Sequence, residues 1–137
     1  DELDVYRCYM GMVFPDVTVT EDMDPEWQGL TMLLNQMFAM VAAVNGVKVI
    51  ANIRTGDANS IKWLSSVPKD VMCASGFLGC RNQRDYDMTY MSKLMFLQPS
   101  KLLIYGKHDK CVETQMNLMG VEYRVYPDYH RLSKGVH

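Results

Sequence analysis

Three stretches place polar residues just where an apolar run stops. VIANIRTGD (49–57) breaks into Asn52, Arg54, Gly56 and Asp57, SGFLGCRN (75–82) carries Gly79, Cys80, Arg81 and Asn82, and YGKHD (105–109) carries Tyr105, Gly106 and His108. Arg54 is a planar, permanently charged fork suited to phosphate or carboxylate, and Gly56 lets the backbone turn sharply or approach a ligand. Asp57 has three uses open to it: capping the next helix, orienting Arg54 or holding a metal. A cap paired with its own arginine accounts for both residues without any ligand.

SGFLGCRN resembles a loop that cradles an anion with backbone amides. It matches neither a Walker loop nor a dinucleotide GxGxxG fingerprint. Cys80 beside Arg81 has the setting of a low-pKa nucleophile, although a small cysteine at a strand end also packs well as core. His108, next to Asp109, is the histidine that follows a strand-like run, which makes it the candidate general base. Asp16, in the turn FPD, joins Asp57 as a carboxylate pair with a spacing too loose to assign a metal, and no metal is assigned. The catalytic candidates are therefore Asp16, Asp57, Cys80 and His108. No GxSxG elbow or HExxH helix occurs, and no cofactor is identified.

The elements that must carry these residues follow from hydrophobic period. Apolar runs of strand length fall at 10–14, 47–53, 71–75, 102–105 and 121–125. VKVIANI and KLLIYG are apolar nearly throughout instead of alternating, as in strands buried on both faces of a parallel sheet. Between them, residues 31–44 show helical period with a stop at Asn45-Gly46, and so apolar a helix is expected to be well covered. Asp57 and Asn59 cap a short helix ending before Pro68. Residues 84–97 form an amphipathic helix with Met88, Met91, Leu94 and Met95 on one side, and Lys110 to Met119 form a last helix stopped by Gly120. The alternation predicts one α/β domain over residues 1–137, three-layered, with a mainly parallel sheet of about five strands, helices on both faces and a polar tail at 128–137. In such a sheet the loops leaving the C-terminal strand ends share one edge, so all three stretches meet there.

Composition narrows the function classes. The 137 residues suit a single core, and 48% apolar with 22% charged residues argue against extended disorder. A net charge of -2 gives no general attraction for nucleic acid or anionic lipid. No apolar run reaches membrane-spanning length and the N-terminus lacks a signal-peptide layout, which points to a cytoplasmic protein without a membrane partner. The opening residue is Asp1, so upstream sequence is expected to be missing. Four cysteines without a CxxC pair read as reduced, mostly buried thiols, and twelve methionines read as core filling.

Taken together, PDVTVTEDM (15–23), NGVKVIANIRTGD (45–57), SGFLGCRN (75–82) and PSKLLIYG (99–106) resemble, in order and spacing, the bacterial and phage domain-of-unknown-function family 4417. The resemblance covers residues 11 to 106. It implies a phage or mobile-element protein, acting in the host cytosol, and carries over Asp16, Asn52, Arg54, Gly56, Asp57, Gly79, Cys80, Asn82, Tyr105 and Gly106. Thr55 stands where the family often has an aromatic residue, and the family usually has more sequence upstream. Two readings of function follow. One is a protein binding a small anionic or nucleotide-like ligand at Asn52, Arg54, Gly56, Gly79, Arg81, Asn82, Tyr105 and Gly106. The other is a non-catalytic interaction module, such as a phage-encoded inhibitor of host defence, that engages a host or phage protein through methionine and aromatic residues such as Trp27, Tyr86, Tyr90 and Tyr129. Nucleic acid ranks below both.

Overall fold

The structure, a computed structural model, describes residues 1–13, 17–76 and 89–127. Each of the five apolar runs contributes a strand: β1 (Met12–Val13), β2 (Val49–Asn52), β3 (Met72–Gly76), β4 (Lys101–Tyr105) and β5 (Tyr123–Tyr126). All four pairings are parallel and the order in the sheet is the order in the chain, β1-β2-β3-β4-β5. Helices α1 (Glu2–Arg7), α2 (Pro25–Val44), α3 (Thr89–Leu97) and α4 (Lys110–Leu118), with a 3-10 helix at Ala58–Ser66, alternate with the strands. The chain is a single α/β unit.

Register decides where the core lies. Side chains paired across parallel strands point to one side, and residues two apart on a strand share it. Ala51, Ile53, Val71, Cys73, Leu102, Ile104, Val121, Tyr123 and Val125 all belong to that one side, and all pack in a single cluster. Met32 of α2, Leu64 of the 3-10 helix, Leu94 and Leu97 of α3, and Val112 and Met116 of α4 complete it. The alternation predicted helices on both faces; among the described residues, those that build the core share one. The cause is topological. A right-handed crossover that always steps to the next strand in the same direction returns each helix to the same side. The other side of the sheet carries Ile50, Ala74, Leu103 and Tyr105, of which only Ala74 is buried.

The helix ends follow local chemistry. Asp24 caps α2 through the Glu26 amide at 2.9 Å and Pro25 occupies the first turn, so the helix starts six residues before the period in residues 31–44 indicated. Asn45 and Gly46, the latter at φ +83°, end it as expected. Asp57 caps the 3-10 helix and Asp109 caps α4 through the amides of Cys111 and Val112.

The expectation that α2 is well covered does not hold. Apart from Met32, its inward side is polar or small, with Gln28, Asn35, Gln36, Ala39 and Ala42. Its outward side exposes Trp27, Leu30, Leu33, Leu34, Met37, Phe38, Met40, Val41 and Val44. Amides explain the inversion, because each one supplies hydrogen bonds to the backbone of a segment packed beside α2. Asn35 pairs with both polar groups of Val17, accepting from its N–H at 2.8 Å and donating to its carbonyl at 3.1 Å. Gln36 donates to Trp63 O at 2.8 Å and accepts from the Ser66 hydroxyl. Trp63 in turn packs on Gly29, where an added Cβ would lie 2.5 Å from the indole.

Other expectations need correction. Met32 and Met116 fill the core, but Met10, Met37, Met40 and Met95 are exposed, so Met95 does not share the inward side of α3 with Leu94. Of the three described cysteines only Cys73 is buried, while Cys8 and Cys111 are exposed. Tyr90 is buried and Trp27 exposed; Tyr86 and Tyr129, like Met88 and the tail 128–137, lie outside the described residues.

Candidate functional site

The stretch that ends β2 borders a cleft of about 420 Å³ between α2, β2 and the 3-10 helix. Met32, Ala39, Met40, Ala43, Val49, Ile50, Leu64 and Val67 make most of its wall. Asn35, Gln36, Asn52, Arg54 and Ser66 add polar groups. The volume falls within the range of small-molecule sites, and a mostly apolar wall with a few fixed polar groups is their usual composition. Arg54 is the one ionisable side chain among the lining residues.

Local turns hold this edge in place. Asn52 accepts the Arg54 amide at 3.1 Å through its side-chain oxygen, an Asx turn that directs the chain away from the strand. Gly56 N–H donates to Ser60 Oγ at 3.0 Å, and Asp57 accepts the Ser60 amide at 2.9 Å. The Gln28 carboxamide, 1% exposed, reaches across from α2 to accept the Asp57 amide at 3.0 Å and to donate to Met23 O at 2.8 Å. A Cβ on Gly56 would lie 2.7 Å from the Gln28 amide carbon and 2.9 Å from Thr20 O. Gly56 is therefore required by close packing of protein on protein. Asp57 caps the 3-10 helix through the Ser60 amide.

The end of β4 forms a second polar group. His108 Nδ1 lies 3.0 Å from Glu113 Oε1, and the Tyr123 hydroxyl donates to Glu113 Oε2 at 3.2 Å. Partial burial, then the hydrogen bond and charge of Glu113, hold the Tyr123 hydroxyl above its usual range, so it stays a donor. A carboxylate that fixes one imidazole nitrogen is how a general base is oriented. His108 itself is well exposed and does not line the cleft. Tyr105 stands on the opposite side of the sheet from the core, its ring 6.0 Å from that of Tyr126, and Gly106 donates to Tyr126 O at 2.9 Å. Two strand spacings, roughly 10 Å, separate β4 from β2.

The structure thus brings Asn52 and Arg54 together at the cleft, assigns Gly56 and Asp57 to its support, and sets Tyr105, Gly106 and His108 apart along the same edge. Asp16, Gly79, Cys80, Arg81 and Asn82 lie outside the described residues. Among the described residues no three His, Cys, Asp or Glu side chains converge on a metal position, and no helix is long and apolar enough to cross a membrane. Residue-by-residue reading missed Gln28, Asn35 and Gln36, whose signal was an amide at helical spacing inside an apolar helix, as well as Ser66 at the end of the 3-10 helix and Glu113, four residues after the Asp109 cap. Comparisons with protein-family models, with curated proteins and with solved structures return no match, so the likeness to family 4417 rests on the quoted motifs alone.

Proposed function

We propose that this chain binds a small molecule with an apolar body and an anionic end, nucleotide-like or carboxylate-bearing, in the cleft between α2, β2 and the 3-10 helix. Arg54 receives the anion, Asn52 fixes the turn that presents it, and the apolar wall takes the remainder of the ligand. The protein is read as a cytoplasmic member of the phage and mobile-element family that its motifs resemble. One observation carries the reading: a cleft of about 420 Å³ whose ionisable lining residue is a strand-end arginine.

A ligand that binds the native state raises the melting temperature by mass action. Thermal unfolding of the purified chain with nucleotides, cyclic dinucleotides, dinucleotide cofactors and medium-chain carboxylates tests the proposal. The expected result is a rise of several degrees that is lost in Arg54→Ala and in Ala39→Phe, which fills the cleft. A panel without effect, or a rise indifferent to both substitutions, overturns it. The interaction-module reading draws on a separate observation, the exposed apolar side of α2.

A further inference from the structure

The outward side of α2 has an order that chance exposure does not require. Trp27, Leu30, Leu34, Met37, Val41 and Val44 follow one another at steps of 3, 4, 3, 4 and 3 residues, the spacing of a coiled-coil seam, and all are exposed. Met37 is 54% exposed, Val41 56% and Val44 80%. With Leu33, Phe38 and Met40 beside the seam, and counting roughly 100 Å² for each side chain, the face presents on the order of 900 Å² of apolar surface. That exceeds the largest apolar patch of a typical monomer, about 300–600 Å², and equals about what one partner contributes to a standard interface.

Charge selects the occupant. From Trp27 to Gly46 there is no ionisable residue, so two copies of the face can meet without like charges opposing one another. A helix that lies in a lipid surface carries Lys and Arg on its polar side, and the inward side of α2 carries amides that are already bound to backbone. We propose that the α2 face is the interface of a homodimer, two α2 helices packed seam to seam about a two-fold axis near Met37. The stretch from Leu30 to Val44 is centred on that residue, so Met37 meets its own copy. This inference does not depend on a ligand in the cleft, since Met37 and Val41 do not line it.

Sedimentation of the full chain tests it. The mass expected at about 100 µM is twice 15.7 kDa. The double variant Met37→Glu/Val41→Glu is expected to sediment as a monomer with unchanged far-ultraviolet circular dichroism, its dissociation constant raised about 100-fold or more. In a Cys8→Ser/Cys111→Ser background, Met37→Cys is expected to form an inter-chain disulfide under mild oxidation that the background chain does not form, and this decides the matter even where the glutamate pair prevents folding. A native chain that stays at 15.7 kDa, a dimer indifferent to the glutamates, or Met37→Cys chains that do not cross-link would overturn the proposal. So would a monomer that floats with phosphatidylcholine vesicles, which would assign the face to lipid.

Discussion

The side chain of Gln28 joins α2 to the turn after β2, its oxygen 3.0 Å from the amide nitrogen of Asp57 and its nitrogen 2.8 Å from the carbonyl oxygen of Met23. No apolar residue can replace both bonds. Gln28→Ala is expected to destabilise the fold by about 2–4 kcal/mol, the sum of a cavity and of backbone groups left without partners. Chemical denaturation measures this, with the midpoint lowered and the slope unchanged.

Gly56 and Gln28 occupy one space, so their substitutions should not add. Gly56→Ala alone is expected to cost about 1–3 kcal/mol, because the nearest obstacles are a bound amide and the backbone oxygen of Thr20. In the Gln28→Ala background the amide is gone and the cost should fall. A double-mutant cycle reads the coupling, and strict additivity would show that the two do not share the packing described.

Asn35 serves the segment before α2 as a strand neighbour would. Its loss in Asn35→Ala is expected to lower stability by only about 1 kcal/mol, since the pair lies at an accessible position. The effect should be local. Hydrogen exchange at the Val17 amide is expected to accelerate far more than exchange at Leu102 or Ile104.

Burial pushes the Cys73 thiol up from 9.0 to about 11. The folded state therefore holds this proton more tightly than the unfolded chain, and the resulting stability is complete below pH 9, then lost as the pH rises toward about 11. The stability of Cys73→Ala, lower at neutral pH, should show a shallower alkaline decline than that of the native chain. Equal slopes would show that Cys73 ionises alike in both states. Thiol labelling of the folded protein is expected to modify Cys8 and Cys111 and to spare Cys73 until unfolding.

The strands were legible because a run such as VKVIANI is too apolar to lie anywhere but in a sheet covered from at least one side. Parallel pairing followed from the helices between them, and with it the edge where Asn52, Arg54, Tyr105 and His108 stand. What period could not reveal is which side of α2 faces in. Apolar residues run nearly all the way round that helix, and the choice was made by Gln28, Asn35 and Gln36, whose amides bind backbone that only the folded chain brings near. The same limit applies to Gly56. Its position invited a ligand, yet the space a side chain would need is filled by Gln28. Helices on both faces were inferred from alternation, which is blind to strand order; among the described residues, sequential order is what gathers the core-building helices α2, α3, α4 and the 3-10 helix on one.

That order also shapes how the chain can assemble. Each strand pairs with the one made just before it, so no strand waits for a distant partner and every loop to be closed is a single crossover. During synthesis the sheet can grow by one strand at a time from its N-terminal edge, each helix closing over core that already exists. The edge of β4 stays a template for pairing until β5 is in place, and the time the growing edge spends uncovered is set by the rate of translation.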